Sequence, residues 1–234
     1  MKSIVFNGCS LADFRCLADE RSSMVHPEID MQKVEVPGRN GNLYLSNHRY
    51  KNLTITYSCM IDKTFYENYA PMMSFLLQDG EYHRLEGNAE KDFFRMARFT
   101  KSSDPVVSDY FQRGTFNLTF ECKPQKWKKG GERPIDFTRD GVLYNEFLYP
   151  AAPILRIYGW GTVRINDYEL LLNEDTADPY VDIDCDLRDA FHEKENRNSF
   201  LEVKSWPVLD PGENKVLLGE HITKMEITPR WWTI

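Results

Sequence analysis

Apolar residues at every second position constrain this chain more than any other feature. Leu53, Ile55, Tyr57, Cys59 and Ile61 alternate with Thr54, Thr56, Ser58 and Met60. Phe116, Leu118, Phe120 and Cys122 alternate with Asn117, Thr119 and Glu121. A period of two places successive side chains on opposite faces, so these runs predict strands with one buried face. Ile183 and Cys185, set between Asp182, Asp184 and Asp186, repeat the pattern, and 222–227 continues it less strictly. β-branched and aromatic residues suit such pleated surfaces.

Turn chemistry separates the runs. Pro37-Gly38 predicts a type II turn, with proline fixing φ at the first central position and glycine accepting positive φ at the second. Asn40-Gly41 predicts a tight hairpin turn. Asn166-Asp167 and Asp210-Pro211-Gly212-Glu213 divide later runs. One segment has helical spacing instead: Phe65, Tyr69, Met72, Met73, Leu76 and Leu77, with Thr64 as N-cap and Gly80 as stop. Pro71 conflicts with a long helix, so the helix is expected to begin near Asn68 or to kink. Residues 123–134 are dense in proline, glycine and charge and predict a solvated linker. About 100 residues of almost purely β pattern follow, the size of a sandwich domain. The pattern implies two β-rich domains, the first carrying the helix.

Composition narrows the function classes. The mean hydropathy of -0.54 and the lack of an uncharged apolar run of about 18 residues speak against a spanning helix. The opening Met1-to-Gly8 stretch has one cation, Lys2, and too short an apolar run for a signal peptide, so folding in a cytoplasm is expected. Five cysteines without C-x-x-C spacing imply reduced thiols, with Cys59 and Cys122 on the buried phase of their strands. The net charge of -7 disfavours stable nucleic-acid binding, and the one basic cluster, Lys123 to Lys129, lies in the expected linker.

Phosphate-binding loops, nucleophile elbows and H-e-x-x-H pairs are absent from the sequence, so no catalytic, cofactor-binding or metal-ligating residue is assigned. Asp182, Asp184 and Asp186, flanked by Asp175, Asp178 and Asp189, raise a calcium site as an alternative. Carboxylates about 7 Å apart along a strand are poor shared ligands, so the expectation is a solvated face whose charge discourages edge pairing. Trp231 and Trp232, adjacent on a strand, face opposite ways. Packing in the core or between domains is the structural expectation for them, and a saccharide-stacking platform is the functional alternative.

These features in order resemble one family. Phe6-Asn7-Gly8 with Ser10-Leu11-Ala12-Asp13-Phe14, then Val36-Pro37-Gly38-Arg39-Asn40-Gly41-Asn42-Leu43, resemble the opening and the turn of the phage distal tail (Dit) proteins, in the short form found in Gram-positive siphophages and prophages. Tyr50 to Tyr57, Tyr82-His83-Arg84-Leu85-Glu86 and Phe116 to Gln125 follow in that family's order. So do Ile183-Asp184-Cys185-Asp186, Pro207-Val208-Leu209, Pro211-Gly212-Glu213-Asn214 and Pro229 to Ile234. The resemblance implies a non-enzymatic virion component, assembled in the bacterial host cytoplasm and carried in the tail. It implies a tail-tube-like β-sandwich or barrel with one helix at 1–128, forming a homohexameric ring, and a galectin-like β-sandwich at 129–234. The implied partners are further copies of the chain, the tail tube protein, the tape-measure protein and a tail-tip lysin or baseplate protein. DNA is met only in transit, and no membrane or cofactor is implied. Pro37, Gly38, Arg39, Asn40 and Gly41 are the expected subunit-interface loop. A host-surface saccharide-binding module, gripping through Trp231, Trp232 or Trp160, is the alternative function.

Overall fold

The computed structural model describes residues 3–20, 25–108, 110, 112–174 and 178–234. The chain divides into two units, Met1–Lys126 with Ile234, and Trp127–Thr233. The first unit runs β1 (Val5–Phe6), β2 (Cys9–Ser10), β3 (Cys16–Asp19), β4 (Ile29–Glu35), β5 (Asn42–Tyr50), β6 (Leu53–Ile61), α1 (Phe65–Leu76), β7 (His83–Glu86), β8 (Phe93–Ser102), β9 (Val106–Ser108) and β10 (Arg113–Cys122). Its main sheet has the order β2-β1-β7-β8-β10-β6-β3, with β9 paired to the start of β10.

The strictest alternation in the sequence became an interior pair of strands in this sheet. β6 and β10 pair antiparallel along their length, from Leu53 opposite Cys122 to Ile61 opposite Gly114. Ile55, Tyr57, Cys59, Phe116, Leu118 and Phe120 are buried on one face. On the other, the hydroxyls of Thr56 and Thr119 lie 3.2 Å apart, and Ser58 donates to the Asn117 side chain at 3.1 Å. Each fully buried large apolar side chain contributes about 1.5–3 kcal/mol, which makes this register strongly preferred over a one-residue slip.

Helix α1 covers the buried face with Phe65, Met72 and Leu76. It starts at Phe65 rather than near Asn68 and keeps Pro71 inside it. Thr64 holds the N-cap position but in a left-handed conformation (φ 49°), without a side-chain cap. Its hydroxyl instead accepts from Asn68 Nδ2 at 2.7 Å. The burial of Phe65 explains the early start: its ring comes so close to β10 that a Cβ on Gly114 would lie 2.3 Å from it. Tertiary packing outweighs the one backbone hydrogen bond that Pro71 forfeits.

The second unit contains β12 (Ile135–Phe137), β13 (Gly141–Asn145), β14 (Ile154–Gly159), β15 (Gly161–Ile165), β16 (Tyr168–Leu172), β17 (Val181–Asp184), β18 (Asp189–His192), β19 (Glu195–Asn196), β20 (Leu201–Val203), β21 (Gly212–Leu218) and β22 (Ile222–Thr228), preceded by β11 (Lys126–Lys128) and closed by β23 (Trp232–Thr233). One sheet orders β12-β22-β14-β17-β18-β19 and the other β13-β21-β15-β16-β20. Leu155, Ile157, Ile183 and Ile227 of the first sheet share a core with Val163, Ile165, Leu170 and Val216 of the second. The expected β-rich fold with one helix is therefore observed: α1 is the one α-helix among the described residues, and the second unit is a two-sheet sandwich.

Two local expectations are corrected. Within 123–134, Lys126–Lys128 is a strand and Lys129–Glu132 a 3-10 turn, not solvated linker. Lys128 N–H donates to Trp231 O and Arg230 N–H to Gly131 O, both at 2.8 Å, so the two ends of the second unit are laced together. Nor are Asp182 and Asp184 a solvated face. Both are buried, Asp182 bonded twice to Arg156 (2.7 and 2.9 Å) and Asp184 twice to Arg230 (2.8 and 3.0 Å). Only Asp186, in the turn beyond β17, is exposed as expected. Each buried carboxylate is balanced by a guanidinium in bidentate geometry.

Candidate functional site: an uncovered hairpin

Strands β4 and β5 form a two-stranded sheet of their own. They pair from Glu35 opposite Asn42 down to Ile29 opposite Tyr50, with a bulge between Ile29 and Met31. Val34 and Leu43, with Gln32 and Leu45, occupy one face, and Lys33 and Tyr44 the other. Neither face is covered. Tyr44 is 58%, Leu45 48%, Ile29 48% and Met31 46% exposed. An isolated two-stranded hairpin is at best marginally stable in water, and a contiguous exposed apolar surface commonly marks an interaction site.

The tip is a six-residue connection, 36–41, rather than the expected two-residue turn. Arg39 N–H donates to Val36 O at 3.2 Å and Gly38 has φ +76°, which is the predicted type II geometry. Gly41 also has positive φ (+85°), whereas Asn40 does not, so the paired positive-φ turn expected at Asn40-Gly41 does not form. Pro37, Gly38, Arg39, Asn40 and Gly41 are all exposed at this tip. Ion pairs Lys33–Glu35 (3.0 Å), Arg49–Asp30 (2.7 Å) and Lys51–Glu28 (3.5 Å) run along the flanks. Hydrogen bonds from Arg49 and Asn47 hold the Asp30 carboxyl below the usual carboxylate range. With their cations exposed, such pairs are worth little in stability.

The two tryptophans singled out from sequence lie in the second unit. Trp231 is buried in its core. Trp232 stacks on Tyr149 (ring centroids 4.5 Å, 24° between planes) and donates from Nε1 to Pro150 O at 3.0 Å. Trp160 stacks on His221 at 3.9 Å. Of the acidic stretch, Asp178 pairs with Arg197, Asp189 accepts from Asn196 and Asn198, and Asp175 lies outside the described residues, as do Met1 and Lys2. Among the described residues no group of three or more His, Cys, Asp or Glu side chains is arranged to hold a metal ion, and no helix is long and apolar enough to cross a membrane. All five cysteines are free, and Cys59 and Cys122 are buried. Sequence reasoning found the hairpin tip through its turn residues but missed the apolar flanks Ile29, Met31, Tyr44 and Leu45. Their apolar positions fall on both faces, so no period of two announces them.

No protein-family model and no curated protein matches the chain. Solved structures do. The crystal structure of the SPP1 Dit protein (gp 19.1), described as a paradigm of the hub adsorption apparatus in phages infecting Gram-positive hosts, superposes with a TM-score of 0.70 over 100% of both chains, at 16% identity. The chain has the Dit fold. A chain in the phage p2 baseplate, in its activated conformation with Ca, matches with a TM-score of 0.53 at 10% identity, over 93% of this chain and 91% of that one. The same baseplate with Sr gives 0.53 at 11% identity over the same shares.

Proposed function

We propose that this chain is a structural component of a phage tail, a non-enzymatic distal tail subunit that closes into a hexameric ring between tail tube and tail tip or baseplate. The observation that carries this reading is the end-to-end Dit fold, in which both units of this chain are matched rather than one borrowed domain. The hairpin supports it independently. A closed ring requires two different patches on each subunit, and a projecting hairpin with apolar flanks suits one of them. In this reading the first unit forms the ring, and Pro37 to Gly41 lie at the subunit contact. The tube protein, tape-measure protein and tail-tip lysin or baseplate protein are the neighbours, and the protein resides in the virion tail. DNA passes through without being held, in keeping with a net charge of -7.

The saccharide-binding alternative has less support, because Trp231 and Trp232 are engaged in packing. Light scattering over a concentration series tests the main reading. Six copies of 27.5 kDa give about 165 kDa. A mass reaching that plateau supports the ring, and any other closed stoichiometry contradicts it.

A further inference from the structure

Arg95 is a buried cation without a carboxylate partner. On β8 the inward-facing residues alternate as Arg95, Ala97 and Phe99. Arg95 is only 5% exposed, although arginine is seldom buried without a paired charge. Its guanidinium donates to Pro124 O at 3.0 Å and to Val25 O at 3.4 Å, and both acceptors are neutral carbonyls. It forms no ion pair among the described residues. Burial holds Arg95 below the ordinary arginine range. A guanidinium nonetheless keeps its proton in a protein, so the charge stays and several N–H donors are left over.

A cavity of about 30 Å³ opens beside it. Ile55, Leu85 and Phe93 give it apolar walls, and Tyr57, Glu90, Arg95 and Lys126 are its polar lining. Lys126 Nζ bonds Glu90 Oε1 at 2.6 Å, so these two charges cancel and Arg95 remains unbalanced. Two cations face one carboxylate there, which leaves the lining one negative charge short of neutrality. Glu20 stands behind Gly87, but its carboxylate already accepts from the Asn88 and Ala89 N–H groups. Tyr57 supplies a second donor. Its ring is 3% exposed and packs on Phe120, and its hydroxyl has no bonded partner among the described residues. Burial pushes the Tyr57 phenol up, so it carries its proton at neutral pH. Positive charge, spare N–H and O–H donors and apolar walls of low dielectric together favour an anion. The volume admits no more than a water or two, which is too small for a phosphate ester or an organic acid and leaves a monatomic anion.

We propose that this cavity is a chloride site, in which the ion accepts from the Arg95 guanidinium and the Tyr57 hydroxyl. Bound chloride joins β6 to β8 and, through Arg95, to the Val25 and Pro124 carbonyls. Every residue of the site belongs to a single copy, so ring closure is not required for it.

Thermal melts of the full chain provide the test, with sodium chloride replacing sodium gluconate at constant ionic strength. Gluconate is too large to enter the cavity. The expected result is a melting temperature that climbs with the logarithm of chloride concentration. Tyr57→Phe removes the hydroxyl alone and should raise the chloride needed for a given rise by about tenfold or more, the loss expected for one hydrogen bond to a charged group. Arg95→Met should abolish the dependence, and Tyr57→Phe decides the matter if that variant does not fold. Crystals of the full chain soaked in sodium bromide then locate the ion. An anomalous peak within hydrogen-bond reach of Arg95 and of Tyr57 Oη supports the site. Equal melting in chloride and gluconate, a chloride dependence that Tyr57→Phe leaves unchanged, or a cavity holding only water in the bromide soak overturns it.

Discussion

At the scale of single residues, the second unit depends on a buried pair 46 positions apart in sequence. Arg230 bonds Asp184 twice and the Ala152 carbonyl at 2.7 Å. Burial by itself pushes the Asp184 carboxyl up. The bonds from Arg230 and from the Leu187 and Asp186 N–H groups outweigh it and hold the carboxyl below the usual range. A carboxyl depressed in the folded state contributes stability that is present above its unfolded pKa and is lost as pH falls through the folded one. Thermal melts from pH 7 down to about 3 should therefore show Asp184→Asn less stable at pH 7, with a shallower decline on acidification than the parent. Parallel declines would refute the assignment. Arg230→Met leaves the buried Asp184 carboxylate without its guanidinium and should cost about 3–5 kcal/mol. Neighbouring glycines make a sharper comparison. A Cβ on Gly131 would lie 2.6 Å from the Trp231 backbone nitrogen, whereas one on Gly130 meets only the end of Lys128 at 3.8 Å. Denaturant melts should find Gly131→Ala destabilised by about 1–3 kcal/mol and Gly130→Ala near neutral.

At the scale of elements, legibility followed one-sided burial. β6 and β10 could be read because one face of each is buried and the other carries Thr, Ser and Asn. The hairpin strands could not, because neither face has a core to answer to and only the turn residues at the tip leave a local signal. Helix α1 was half legible. Its apolar spacing marked it, but local chemistry misplaced its start, since Phe65 is drawn in by a distant strand at Gly114. The Asp182 and Asp184 carboxylates read as a solvated face for the same reason: the partner Arg156 sits on another strand and Arg230 in the connection between β22 and β23, and sequence spacing carries no record of them. The element-scale prediction concerns the hairpin. Leu43→Glu with Leu45→Glu should lower the assembled mass while shifting the melting temperature by less than about 2 °C, since neither side chain touches the core. A large drop in melting temperature with unchanged assembly would make the hairpin a structural element rather than a docking one.

At the scale of the whole molecule, the fold is matched end to end, and the monomer leaves the apolar flanks of the β4–β5 hairpin uncovered. The candidate contact was legible only at its tip, Pro37 to Gly41, because turn chemistry is local. The flanks are a property of the folded surface. A heterologous contact either closes with a fixed symmetry or propagates as a filament, so the shape of the assembly decides the central claim. Negative-stain electron microscopy of the purified full-length chain, at concentrations where its mass has reached a plateau, is the direct measurement. The account predicts class averages of a six-fold ring with an open centre. Isolated particles of monomer size, or open filaments without closure, would contradict it.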